Sequence, residues 1–267
     1  MALFGFIGVG NMGSALLKAS YKVFGKEDLI YYDASKDNCA SIMKQLGISA
    51  EGSNIAVICN CKYLVLAIKP QQFLDVLEEI KRYITPEHII ISIAAGVTIK
   101  SIKSALGART RVVRAMPNTP ALIFKGSTGI SFSSDTFHEM EKSHLDSFFS
   151  SFGQYDVFNE NLMDAVTCAS GSSPAYVYTF IEALADSVVS LGISRDKAYS
   201  LVAQTVMGAA SMVLETGEHP GLLKDKVCSP AGTTIAAVKA LEENGFRNAI
   251  MKATDACYRR AKELAED

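Results

Sequence analysis

Phe4-Gly5-Phe6-Ile7-Gly8-Val9-Gly10-Asn11-Met12-Gly13 decides the fold. Leu3–Ile7 is an apolar run of strand length, and Asn11–Phe24 carries Met12, Leu16, Leu17 and Val23 at helical spacing. A Gly-x-Gly-x-x-Gly between a strand and a helix is a phosphate-binding turn. Gly8 allows the tight bend, Gly10 lets the backbone approach a pyrophosphate, and Gly13 lets helix and strand pack closely. The helix N-terminus adds unpaired N–H groups and the positive end of its dipole.

The alternation continues outward from this loop. Leu29–Tyr32 reads as a strand and Lys36–Leu46 as a helix. Tyr63–Ala67 and His88–Ile93 are unbroken apolar runs, as strands covered on both faces should be. Helices are expected over Gln71–Tyr83 and Thr98–Leu106, then strands over Arg111–Ala115, Gly126–Ser133 and Gln154–Phe158 with a helix near Asp135–Phe152. Such alternation implies an α/β fold with a mostly parallel, doubly wound sheet. After Phe158 the strand pattern stops, and Asn161–Leu191, Arg195–Thr216, Pro230–Asn244 and Arg247–Glu266 read as helices. The expected domains are 1–158 and 159–267. Helices at 175–191 and 198–214 are apolar around much of their circumference, so they must be buried, either between the domains or, the preferred reading, at a subunit interface.

Composition excludes several classes. The chain has 267 residues, 49% hydrophobic and 20% charged, with a net charge of −2, so it lacks the basic excess that a nucleic-acid partner requires. No apolar run reaches the ~20 residues of a membrane span, and no secretory signal is expected. Six cysteines without a CxxC pair fit a reduced, cytoplasmic setting, and four scattered histidines give no metal-ligand spacing.

Residues at the carboxyl ends of the strands are candidates for a cofactor cleft. Asp33, 20 residues after Gly13, stands where an acid would bond the ribose 2′-hydroxyl of NAD, while Ser35 and Lys36 suit the 2′-phosphate of NADP. From these residues the choice stays open. Ala67-Ile68-Lys69-Pro70 and Ile93-Ala94-Ala95-Gly96 follow later strands, and Arg114–Pro120 forms an irregular segment containing Asn118. In the helical part, Ala169–Tyr176 places Pro174 and small hydroxyl residues where a long helix should kink or restart. Ser229-Pro230 reads as an N-cap and first helical residue, with Thr233 and Thr234 in the first turn and N–H groups free for a carboxylate.

Taken together, Phe6–Gly13, Ala67–Pro70, Ser92–Thr98, Arg114–Ala121, Ser170–Tyr176, Glu215–Gly221 and above all Leu223–Ile235 make the chain resemble the pyrroline-5-carboxylate reductase family over essentially its full length. The resemblance implies a Rossmann-type domain, an all-α dimerisation domain, and assembly into dimers or decamers. It implies reduction of 1-pyrroline-5-carboxylate to L-proline, with NADP(H) ahead of NAD(H). It places the cofactor at Ile7, Gly8, Val9, Gly10, Asn11, Met12, Gly13, Asp33, Ser35, Lys36, Asn54, Ala67, Ile68, Lys69, Pro70, Ile93, Ala94, Ala95 and Asn118. It places the substrate at Ser229, Gly232, Thr233 and Thr234, with Thr234 as the catalytic hydrogen-bonding group. The family usually has two adjacent glycines after the Ser-Pro pair; here they are Ala231 and Gly232, and the extra methyl fits if Ala231 is helical.

Two other classes share parts of this pattern. A 3-hydroxyacid dehydrogenase would have a similar architecture, but no lysine of the helical part lies in that family's Gly-x-x-Gly-x-Gly-x-x-x-Lys setting. A non-catalytic dinucleotide sensor would not need the Ser229–Thr234 stretch.

Overall fold

The computed structural model describes residues 1–266. Its elements run β1 (Ala2–Ile7), α1 (Asn11–Phe24), β2 (Leu29–Tyr32), α2 (Lys36–Leu46), α3 (Asn54–Cys59), β3 (Cys61–Leu66), α4 (Pro70–Ile80) and β4 (Ile89–Ser92). Then follow α5 (Ile99–Leu106), β5 (Arg111–Met116), β6 (Gly126–Phe132), α6 (Glu139–Ser150) and β7 (Gly153–Val157). The rest is helical: α7 (Met163–Val166), α8 (Ser173–Ser190), α9 (Arg195–Thr216), α10 (Pro220–Val227), α11 (Thr233–Glu243) and α12 (Phe246–Glu266).

The seven strands form one sheet in the order β2-β1-β3-β4-β5-β6-β7. Alternate side chains along the central strands feed two cores. Phe4, Phe6, Tyr63, Val65, Ile89, Ile91 and Val113 join Leu16 and Leu17 of α1 and Leu145, Phe148 and Phe149 of α6. Ile7, Leu64, Leu66, Ile90 and Val112 join Val57 of α3, Phe73 and Leu77 of α4, and Ile102 of α5. The central strands β1, β3, β4 and β5 are therefore covered on both sides, the condition that makes a strand's sequence continuously apolar.

β1 to β5 are parallel, whereas β6 runs antiparallel to β5. The link from Met116 to Gly126 holds only a short 3-10 turn, Thr119–Ile123. A parallel crossover needs roughly a dozen residues or more, so the chain returns antiparallel. α6 is a full crossover, and β7 pairs parallel to β6.

By packing, the chain divides into Met1–Ser172 with the stretch from Cys257 on, and Ser173–Ala256. This differs from a sequence boundary at 158/159. The segment after β7 is tied to the sheet: Arg114 on β5 pairs with Glu160 at 3.4 Å and Asp164 at 3.2 Å, and Val166 fills the space over Gly129. Asn161–Leu191 is not one helix. A π-turn over Thr167–Gly171, closed by Ser172 N donating to Thr167 O at 2.8 Å, separates α7 from α8, and Pro174 lies in the first turn of the restarted helix. From the C-terminal stretch, Cys257 Sγ reaches Ser172 Oγ at 3.3 Å.

In the second unit α8 and α9 pack on each other around Ala185, Ala198 and Val202. Tyr178, Leu201, Met207, Met212 and Leu214 are all at least half exposed there. Helices this apolar leave a large uncovered surface, the mark of an interaction face. No helix among the described residues is long and apolar enough to cross a membrane.

Candidate functional site

The strand order places β1 between β2 and β3, so the connections leave β1 and β3 in opposite directions and a crevice opens at their carboxyl ends. A cavity of about 470 Å³ lies there. Of the residues expected from the sequence, Ile7, Gly8, Gly10, Asp33, Ser35, Asn54, Ala67, Ile68 and Lys69 line it.

The glycine loop is built as the motif requires. Gly8 has φ +90°, and a Cβ there would stand 2.6 Å from the Ala67 carbonyl oxygen of β3's end. A Cβ on Gly13 would overlap the Gly8 carbonyl. Gly10 is different: its φ is −63°, and a Cβ would meet nothing within 4 Å. The fold does not need glycine at that position, so the bare backbone there serves something that approaches from outside. Gly10 is also the N-cap of α1, which has no side-chain cap, and the first-turn N–H groups of Asn11, Met12 and Gly13 face the same approach. These residues fit a dinucleotide pyrophosphate.

Other expected residues are placed less directly. Val9 is buried, and its N–H donates to Asp33 Oδ2 at 2.6 Å. Lys36 is exposed as the first residue of α2, and Pro70 is the first residue of α4. Ile93, Ala94 and Ala95 follow β4 but do not line the cavity. Asn118 does not line it either: its Oδ1 accepts from Ser127 N at 2.9 Å and its Nδ2 donates to Ser170 O at 3.1 Å, joining the start of β6 to the π-turn. Asn54 Nδ2 donates to Glu79 Oε2 at 2.7 Å, linking the cavity wall to α4. The sequence reading missed Tyr32, Ala34, Asn38, Gln72, Asp75 and Val76 in the lining. Gln72, Asp75 and Val76 are spaced i, i+3, i+4 on α4, so a helical projection from Lys69 would have found them.

In the second unit the candidate substrate segment departs from its expected geometry. Ser229 does not cap α11. Gly232 is the N-cap and Thr233 the first helical residue. Ser229, Pro230, Ala231 and Gly232 instead form a turn closed by Gly232 N donating to Ser229 O at 3.0 Å. Proline at the second position and a positive φ at the third are the features of a type II turn. The third residue is Ala231, at φ +56°, a left-handed conformation rather than the helical one that would accommodate its methyl at no cost. Beyond the turn, the N-terminus of α11 has no side-chain cap, which leaves the N–H groups of Thr233, Thr234 and Ile235 for an anion. Thr233 is exposed and Thr234 half-buried.

Residues 160–264 match the family model described as pyrroline-5-carboxylate reductase dimerisation, and residues 3–96 match that of NADP oxidoreductase coenzyme F420-dependent. The chain is 44% identical over 265 residues to pyrroline-5-carboxylate reductase of Escherichia coli, covering 98% of each chain. It is 38% identical over 262 residues to the enzyme of that name from Pisum sativum, covering 98% of this chain and 95% of the relative. The crystal structure of Plasmodium falciparum pyrroline carboxylate reductase with NADP bound superposes with a TM-score of 0.88 at 34% identity, over 99% of this chain and 98% of that one. The pyrroline-5-carboxylate reductase from Coxiella burnetii gives 0.91 at 34% identity, again over 99% and 98%.

Proposed function

The chain belongs to the pyrroline-5-carboxylate reductase family, and from that membership we propose which of its residues do the work. It is an NAD(P)H-dependent oxidoreductase that reduces 1-pyrroline-5-carboxylate to L-proline, the final step of proline biosynthesis. NADP(H) is the favoured cofactor and NAD(H) the second.

The observation that carries the cofactor assignment is the open space over Gly10 at the uncapped start of α1. When bound, the dinucleotide supplies the hydride. Gly8, Gly10 and the first turn of α1 hold its pyrophosphate, and Ile7, Ala67 and Ile68 supply apolar wall. Ser35 and Lys36 are the candidates for its 2′-phosphate.

The uncapped first turn of α11 holds the substrate carboxylate through the N–H groups of Thr233 and Thr234, with Ser229 beside it. Thr234 Oγ1 hydrogen-bonds the ring nitrogen. A protonated cyclic imine is already electrophilic at its C=N carbon, so the residues act by orientation and exclusion of water, with no strong acid. The proton comes from solvent or from the substrate's own protonated form.

The helical part mediates self-association. The apolar faces of α8 and α9 support a dimer as the minimal unit, with a decamer as the larger assembly. A net charge of −2 supports a small-molecule target over nucleic acid, and the cysteine usage supports the cytoplasm. The deciding assay is loss of reduced-nicotinamide absorbance when 1-pyrroline-5-carboxylate is added, run with each cofactor. Oxidation with proline as product supports the reading. Tight cofactor binding without oxidation would mean a dinucleotide sensor.

A further inference from the structure

An acid at the end of the second strand, 20 residues after the last glycine of the loop, ordinarily accepts a hydrogen bond from the ribose 2′-hydroxyl and so selects NAD. Asp33 has the position but other partners. Its Oδ2 accepts from the backbone N–H of Val9 at 2.6 Å and from Asn38 Nδ2 at 3.2 Å. Its Oδ1 accepts from Ser35 N at 2.8 Å. Three of the roughly four lone-pair directions of the carboxylate are thus taken by this chain's own donors. The main chain of Asp33 is held too, because Cys39 Sγ donates to its carbonyl at 3.4 Å.

The donors come from two places that a dinucleotide must touch at once. Val9 lies between Gly8 and Gly10 in the phosphate-binding loop, and it is buried, so no solvent replaces a lost acceptor for its N–H. Ser35 is the N-cap of α2, its Oγ accepting from Asn38 N at 3.4 Å, and Asn38 is in that helix's first turn. The bonds therefore join the loop at the end of β1 to the start of α2.

We propose that Asp33 is a positioning residue that ties the phosphate-binding loop to the N-terminus of α2, setting affinity for either dinucleotide without choosing between them. This rests on the cavity being the cofactor site. Asparagine at 33 keeps one acceptor for Val9 N–H but turns an amino group toward a donor, so it weakens the tie. Alanine removes it.

The test is titration of the full-length enzyme with NADPH and with NADH, following nicotinamide fluorescence, for the wild type, Asp33→Asn and Asp33→Ala. Loss of a charge-assisted hydrogen bond corresponds to about ten- to a hundred-fold in affinity. Both dissociation constants should rise together, about ten-fold for Asp33→Asn and more for Asp33→Ala. Their ratio should stay within about three-fold of wild type. KM for both cofactors should rise while kcat at saturation is kept, and exchange of the Val9 amide hydrogen should quicken. Asn38→Ala, which leaves Val9 N–H paired and tests the tie if the Asp33 variants fail to fold, should weaken both cofactors equally and by less than ten-fold. A shift of ten-fold or more in the ratio toward NADPH overturns the proposal in favour of a ribose acceptor, and so does unchanged affinity for both. Gly10→Val separates the underlying reading: loss of both cofactors in a folded protein supports the cavity as their site, and intact binding overturns that reading together with the proposal.

Discussion

Arg111 and Glu141 form an ion pair almost wholly removed from solvent: Arg111 Nη1 donates to Glu141 Oε2 at 2.7 Å, and the side chains are 10% and 3% exposed. Lys62 Nζ reaches the other carboxylate oxygen at 3.0 Å, His138 N–H donates to the same carboxylate at 3.0 Å, and Arg111 Nη2 donates to Glu87 O at 3.0 Å. This cluster joins β5, β3 and the start of α6. Burial by itself would raise the Glu141 carboxyl, but the bonds from His138, Arg111 and Lys62 more than reverse that and hold it at about 2.

Acid stability follows from this value. A carboxyl held below its unfolded value stabilises the fold above that value and loses the contribution as the group is protonated. Between an unfolded value near 4.5 and a folded value of about 2, Glu141 contributes about 3 kcal/mol, present above about pH 5 and lost as pH falls toward 2. Urea melts of the wild type and Glu141→Gln should differ by about that much at pH 7 and converge in acid. A difference that stays constant down to pH 3 would remove Glu141 from the acid response.

The strained turn before α11 makes a second expectation. Alanine at φ +56° carries about 1 kcal/mol of steric cost, partly offset by its smaller loss of chain entropy on folding. Ala231→Gly should therefore stabilise the enzyme, by roughly 0.5 kcal/mol, and Ala231→Val should destabilise it by more than 1 kcal/mol. A lower melting temperature for Ala231→Gly would show that the turn is not strained.

Gly10 and Gly13 should separate in a paired experiment. Gly13→Ala drives a methyl into the Gly8 carbonyl and should destabilise the protein by about 1–3 kcal/mol. Gly10→Ala meets nothing and should leave the melting temperature within a degree or two, while cofactor affinity falls. Equal thermal losses in both variants would contradict the open cradle.

Thr234 stands in the first turn of α11, and its hydroxyl is proposed to meet the ring nitrogen. One positioned hydrogen bond in the transition state is worth about 1.5–4 kcal/mol, so Thr234→Ala should lower kcat by about ten- to a thousand-fold. Thr234→Ser should restore most of it. Unchanged kcat and KM in the alanine variant would take Thr234 out of the mechanism.

Gly208 tests the self-association face. It is exposed in the middle of α9, beside the exposed Met207, and a Cβ there would touch nothing within 4 Å in this subunit. In an isolated exposed helix Gly208→Leu should gain nearly 1 kcal/mol from helix propensity. If α9 meets a second copy closely, the same substitution should instead weaken the dimer, read as a concentration-dependent fall in sedimentation coefficient and activity. A more stable, fully assembled variant would place the interface elsewhere.

The sequence was most legible where the signal is local. Strand β1, the glycine loop and α1 lie within 24 residues, and their apolar spacing and glycines state the geometry directly. The uninterrupted apolar runs of β3 and β4 likewise declared a sheet covered on both faces. α3 was missed because its 6 residues are under two turns, and α10 because none of its residues is buried, so it carries no apolar stripe of the kind that marks the equally short α5. Ser229-Pro230 looked like a helix start because those residue types favour both an N-cap pair and the first half of a turn. Their conformation alone distinguishes the two, and it moves α11's first residue to Thr233.

By itself the sequence determined the alternation of strands and helices, the phosphate-binding loop and the change to an all-helical second half. Each follows from residue types within one or two turns of chain. The tertiary structure decided the rest. It decided that Asp33 faces Val9, 24 residues away, and that Asn118 braces Ser127 and Ser170. It decided that β6 runs antiparallel and that the segment up to Ser172 packs with the sheet. The physical reason is common to all of these. A carboxylate, an amide or a strand edge takes its partner from whatever donor the folded chain brings within about 3 Å, and no local spacing specifies which distant residue that is.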